Sequence, residues 1–368
     1  VREVPGAQRA EYSAFVKQME DDIQQWIILF GDFEQGSALH KGQALLNQGK
    51  FSDAVALLQK AQGEDTNDKQ IALALGTAYS RLPDETKANA AFDKLIADKP
   101  DVATLNAVAY EYATANRRLG DALDYASRAV EQTSKESLEV SLKSAAPDDF
   151  LRMKTLAEEW DTLGWIKFRT GNYAEAEKYL ESSYSLWPRP LVGQHLANTY
   201  EKLGKKREAS NICRALLSVP LFQQEPQIQD ELVAIQRRIG ALPPEPPSTK
   251  GKSSNSDQFL LAEDSARTFK MPRKVDFTGK SKIARFKVAI QAEPVSPVVE
   301  YISGDREMRD EAAELAKVNF RQPFPKEYPA KIIRAGWVSC SKFTNDCTLI
   351  FFPTADKPSY DSLTKDVE

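Results

Sequence analysis

A spacing of 34 residues recurs along the first part of the chain and limits the folds open to it. Gly42 and Gly76 stand 34 residues apart, as do Ala54 and Ala88, and Leu58 and Phe92. A third copy, Ala109–Ala129, is out of phase by one residue and has Ala109 where the earlier copies have glycine. The fourth, Trp160–Pro188, carries Trp160, Leu163, Gly164, Phe168, Tyr173, Ala176 and Pro188 in order. A fifth follows with Leu196, Ala197, Tyr200, Gly204 and Ala209, ending near Pro220. A fixed period of this length marks a small helical unit that cannot bury its own apolar face and must stack on its neighbours. Small residues (Gly42, Gly76, Ala109, Gly164, Ala197) fall where paired helices approach closely, and Ala54, Ala88, Ala122, Ala176 and Ala209 answer them from the second helix. Large residues alternate with these and fill the gaps. The predicted fold is therefore mainly α: a helical solenoid over 34–240, then a small α+β domain.

Punctuation refines this outline. Residues 1–33 form a lead-in, with Tyr12, Phe15, Met19, Ile23, Trp26 and Ile27 at helical spacing. Between the third and fourth copies an insert, Ser134–Trp160, holds a Pro-Asp-Asp start signal at 147–149. It predicts a lengthened first helix for the fourth repeat, preceded by an extra turn or loop. Gln224–Gly240 reads as a closing helix with Ile228, Leu232, Ile235 and Ile239 on one face and Gly240 as its stop. Periodicity then vanishes over 241–257, a Pro/Ser-rich linker. The domain predicted over 258–354 has the order strand, strand, helix, strand, strand, and a polar tail, 355–368, follows. Its first strand, Ser281–Glu293, places Ile283, Phe286, Val288 and Ile290 inward, with a break at Ala284-Arg285. Its helix, Gly304–Phe320, takes Asp305 as cap and turns Met308, Ala312, Leu315 and Ala316 inward. A helix packed on a small antiparallel sheet results.

The repeat, with its Trp-x2-Leu-Gly run at Trp160–Gly164, resembles the tetratricopeptide repeat family over roughly residues 35–220. The resemblance implies a groove lined by first-helix residues off the packing face. Those are Gln43, Asn47, Thr77 and Arg81 in the first two repeats, and Asn106 and Tyr110 in the third. The fourth gives Asp161, Trp165 and Arg169, and the fifth Gln194, His195 and Asn198. An aromatic residue among mixed polar groups suits capture of a peptide, with Trp165 as anchor; a solvated face with Trp165 half-buried on a neighbour weighs equally. The lysines of the carboxylate clamp used by some relatives are missing. The stretch "GKSKIARFKVAIQAEPVSPVVEYISGDREMRDEAAELAKVNFRQPFP", with Ser303-Gly304, Ala312-Ala313, Pro323 and Pro325, resembles the C-terminal domain of the TonB energy-transducer family. "EYSAFVKQMEDDI" resembles bacterial proteins in which a transglutaminase-like region precedes such repeats. Two functions stay open: a non-enzymatic protein-interaction scaffold with a second contact through the sheet domain, or a non-catalytic portion of a larger transglutaminase- or peptidase-like protein. The chain begins at Val1, as a processed or partial chain does.

Composition narrows the chemistry. A net charge of -4 gives no electrostatic footprint for nucleic acid. No run of 18 apolar residues exists to span a bilayer. The two histidines, His40 and His195, are far apart, and no glycine-rich phosphate loop occurs. No catalytic residue, metal or cofactor is expected; the expected partner is a protein or peptide. Glu158-Glu159 and Asp148-Asp149 are expected at helix starts or on helix surfaces. Cys340 and Cys347 flank "SKFTND" between two predicted strands and can meet across a hairpin. A disulfide fits best, ahead of two free structural thiols and then of catalysis or metal binding. If the bond forms, the compartment is oxidising, hence extracytoplasmic. Cys213, aligned with Leu58 and Phe92, is expected in the core.

Overall fold

A computed structural model describes residues 38–64, 68–82, 84–97, 99–217, 226–240, 267–271, 282–340 and 346–352. The predicted lead-in helix, linker and polar tail lie outside the described residues. Contacts divide the chain into two compact units, Val1–Pro100 and Asp101–Glu368.

The first unit holds two helix pairs, α1 (Ala38–Asn47) with α2 (Phe51–Glu64) and α3 (Lys69–Arg81) with α4 (Glu85–Ala97). Asp68 opens α3 by accepting from the backbone N–H of Gln70 at 2.7 Å and of Ile71 at 3.2 Å, so two of the orphan donors of a helix start are satisfied. The repeat glycines do what their spacing predicts. A Cβ on Gly42 would lie 2.5 Å from Leu58 Cδ2, and the fully buried Phe92 fills the same role beside Gly76.

The second unit continues the pairs: α5 (Val102–Ala115) with α6 (Leu119–Glu139), α7 (Pro147–Arg169) with α8 (Tyr173–Leu186), α9 (Pro190–Lys202) with α10 (Lys206–Leu217), then α11 (Pro226–Ile239). The insert is spent on length. Helices α5, α8 and α9 have 13 or 14 residues, whereas α6 has 21 and α7 has 23. A 3-10 turn, Leu142–Ser144, joins the two long helices. Pro147 starts α7 as predicted, and Asp149 Oδ2 accepts from Ala146 N–H at 2.9 Å. The matching extension of α6 is not legible, because Thr133, Ser134 and Ser137 look like loop residues and are in fact buried. At the far end α11 buries Ile228, Leu232, Ile235 and Ile239 against Leu196, Ala197, Cys213 and Leu216.

Five antiparallel strands follow: β1 (Thr268–Lys270), β2 (Lys282–Gln291), β3 (Val298–Gly304), β4 (Lys331–Cys340) and β5 (Cys347–Phe351). Their order is β1-β5-β4-β2-β3. Strand β1 adds to the four that were predicted. The predicted helix over 304–320 is shorter, a 3-10 turn Arg306–Glu311 running into one α turn, α12 (Ala312–Leu315). Asp305 stands at the N-cap position as predicted but makes no side-chain capping bond; its carboxylate accepts from Ile283 N–H at 2.7 Å and ties the turn to β2. Met308 and Leu315 are buried, while Ala312 and Ala316 are half-buried. Ile283, predicted inward, is 48% exposed. The alternation runs through Ala284, Phe286, Val288 and Ile290, which share one face, so Ile283 points the other way. The break noticed at Ala284-Arg285 is a register shift against β3 between Arg285 and Phe286.

The face bearing Phe286, Val338 and Phe351 is covered by residues 306–320: Phe320 packs 5.5 Å from Phe351, ring to ring, and Met308 Sδ lies 3.8 Å from Cys340 Sγ. The opposite face rests on the extended helices. Lys331 N–H donates to Ser137 Oγ at 3.0 Å, and Lys331 Nζ to the carbonyls of Leu138 and of Val140, the latter at 2.8 Å. Lys287 Nζ donates to Ala145 O at 3.3 Å, and Ile333 N–H points at Met153 Sδ at 3.2 Å. The approach to β4 extends the seam: Phe324 meets Trp160 edge-on at 6.3 Å, Tyr179 donates to Glu327 at 2.9 Å, and Gln322 Nε2 donates to Ser182 O at 3.2 Å. The sheet is thus built onto α6, α7 and α8.

Candidate functional site

Repeat register sets the groove. Ala109, Gly164 and Ala197 are equivalent, so Asn106, Asp161 and Gln194 form one row along α5, α7 and α9. Tyr110, Trp165 and Asn198 form a second row one turn further on.

The structure draws these residues together unevenly. Asp161 is 6% exposed and accepts from His195 Nδ1–H at 2.8 Å, both side chains lying inside the stack. The His195 ring is stacked on Trp165, with centroids 4.1 Å apart and planes 13° from parallel, and Tyr110 stands 6.3 Å from it. Phe168 covers Trp165 at 4.7 Å and the Arg169 guanidinium lies 5.6 Å from its ring. Trp165 is left 9% exposed. It forms the wall of the groove and does not stand free in it. Arg169 is half-buried, and desolvation holds its guanidinium below the ordinary arginine range. Asn198 is occupied too: its Nδ2 donates to Gln194 O at 3.1 Å, and Arg238 reaches its Oδ1 at 3.5 Å.

Space opens one row away. Asn106, Tyr110 and Asp161 line a pocket of about 200 Å³ with Glu158, Thr162, Trp187 and Arg189. Arg189 lies 3.5 Å from Glu158, and its guanidinium sits 4.6 Å from the Trp187 ring. Three of the predicted residues therefore share a cavity, while Trp165, Arg169 and His195 form its aromatic and cationic flank. Glu158, Trp187 and Arg189 were missed as site residues. Trp187 and Arg189 sit at a helix junction, and repeat alignment reports only first-helix positions.

Two further predictions meet the structure here. Glu158-Glu159 were expected on a surface, and only Glu158 is. Glu159 is 0% exposed and accepts from Thr133 at 2.8 Å; burial pushes its carboxyl up to about 8. One residue along a helix turns the side chain by about 100°, which here carries it from the groove into the α6–α7 seam. Cys340 and Cys347 pair directly in the β4–β5 register and are joined by a disulfide, Cα to Cα 4.1 Å. Cys213 is 0% exposed, and burial pushes its thiol up to about 12. Among the described residues no group of three or more His, Cys, Asp or Glu could hold a metal ion, and no helix is long and apolar enough to cross a membrane.

Tetratricopeptide repeat profiles match residues 39–103 and 158–188. These two segments carry tetratricopeptide repeats, and an antiparallel sheet follows them in the chain. Among solved structures, a thermophilic tetratricopeptide protein of Thermus thermophilus is 19% identical with a TM-score of 0.40, over 54% of this chain and 95% of that one. Pseudomonas aeruginosa PilF is 18% identical with a TM-score of 0.36, over 54% and 86%. No curated protein sequence matches the chain.

Proposed function

We propose that this protein is a non-enzymatic interaction scaffold that holds a segment of a partner protein in the groove of α5, α7 and α9. The pocket at Asn106, Tyr110 and Asp161 carries this reading, because it lies on the row of first-helix positions that the repeat leaves free of packing duty. Trp165, Arg169, Gln194, His195 and Asn198 flank it. Stacked and hydrogen-bonded in advance, they give a partner a rigid wall at little ordering cost. The sheet supplies a second contact surface fixed relative to the groove. The order of its last four strands about the short helix, β2, β3, α12, β4 and β5, supports a TonB-like assignment. The Cys340–Cys347 bond supports an oxidising, extracytoplasmic setting.

The test is affinity capture on the full chain beside its Tyr110→Ala and Arg189→Glu variants, each first matched to the parent in circular dichroism and Tm. Proteins retained by the parent and lost from both variants support the groove. An identical retained set from all three sinks it.

A further inference from the structure

The pocket between α5 and α7 has a chemical bias that specifies what it takes. Asn106 Oδ1 is buried at its lining, and among the described residues none gives it a hydrogen bond. A buried acceptor without a donor carries the full cost of its desolvation, which an arriving donor removes. Two carboxylates, Glu158 and Asp161, line the same cavity and face a single cation, Arg189. That cation stands at the rim, 40% exposed, with its guanidinium against the face of Trp187 as well as 3.5 Å from Glu158. At this exposure the Arg189–Glu158 pair is weak and exchangeable. Asp161 has only its Oδ1 engaged by His195 in the buried contact. Tyr110 contributes an aromatic wall.

Resting on the scaffold reading above, we propose that this pocket receives a basic side chain, arginine above all, from an extended segment of the partner. A guanidinium presents several N–H donors in one plane. It answers the unfilled acceptor of Asn106 and the carboxylates together, and it lies well against a tyrosine face. On entry it competes with Arg189 for Glu158, and Arg189 swings outward on Trp187. An ammonium satisfies the charge without the planar match. Among the lining residues a carboxylate finds one cation, Arg189, and meets two like charges.

The experiment uses the full chain and fluorescein-labelled octapeptide pools that differ only in a fixed central residue, Arg, Lys, Leu, Gln or Glu, read by anisotropy. The arginine pool is expected to bind best, about tenfold above glutamate. Asn106→Leu and Glu158→Gln each weaken the arginine pool several-fold and leave the leucine pool unchanged. Raising salt from 50 to 300 mM weakens the arginine pool most. Equal binding of arginine and glutamate pools, or loss of all pools alike in the two variants, overturns the basic-residue assignment. If the leucine or glutamate pool binds best and Tyr110→Ala abolishes that binding, the groove stands as a scaffold while this specificity falls. Binding by none of the pools overturns both.

Discussion

Glu159 provides the sharpest test of the packing between the two long helices. Its carboxyl is 0% exposed and bonded at 2.8 Å to Thr133, and burial lifts its pKa to about 8 from an ordinary 4.5, with Glu158 and Glu136 adding to the rise. A raised carboxyl pKa means that the folded state holds the proton more tightly than the unfolded chain does. The stability associated with this group is therefore complete below about pH 4.5 and falls as pH rises towards 8, where it levels off. At about 1.36 kcal/mol per unit, the 2.5 units between 4.5 and pH 7 remove on the order of 3 kcal/mol. Glu159→Gln keeps an acceptor for Thr133 and cannot ionise. Urea unfolding followed by tryptophan fluorescence at pH 5, 6, 7 and 8 should show the variant gaining on the parent at every step. The advantage should be small at pH 5 and reach about 3 kcal/mol at pH 7. A difference between the two proteins that stays flat from pH 5 to 8 refutes the argument that this carboxylate is buried uncompensated.

Three other perturbations probe separate parts of the structure. Gly164→Val places its Cβ 2.7 Å from Leu180 Cγ; chemical denaturation should show a loss of about 1–3 kcal/mol from overpacking. Met153→Ala empties a fully buried position beneath Ile333 and should cost about 2–5 kcal/mol, with hydrogen exchange accelerating in β4; unchanged β4 protection speaks against the sheet's seat on α7. Opening the Cys340–Cys347 bond by a double alanine substitution releases a short loop worth about 2.5 kcal/mol by closure entropy, read as a lowered Tm. Peptide mapping without reductant should recover the linked pair.

The repeats were legible because Gly42, Gly76 and Gly164 each answer one large residue of the paired helix at fixed spacing, and that steric rule is written locally. The disulfide was legible for the same reason, two strands and a short return. The sheet's position was not. Lys331 meets Ser137, and Ile333 meets Met153, across sequence distances that no local pattern spans. The polar residues that receive the sheet (Thr133, Ser134, Ser137) have loop composition, so the extension of α6 was hidden by the contacts that stabilise it. Repeat register placed Asn106, Tyr110 and Asp161, which line the open space, together with Trp165, which is buried beside it; Trp187 and Arg189 come from a helix junction that first-helix alignment does not report.

The seat of the sheet on α6 and α7 bears on the timing of synthesis. A solenoid ordinarily consolidates unit by unit as it leaves the ribosome, since each repeat needs only its neighbour. Here the backbone N–H of Lys331 completes Ser137, a residue made 194 positions earlier, and Phe324 closes over Trp160. The third and fourth repeats thus emerge with an apolar seam at Met153 and Trp160 that lacks Phe324 and Ile333 until those residues have been made. During that interval the nascent protein is a client for whatever shields apolar helices, and truncations ending before β4 should be bound by chaperones while the full chain is released.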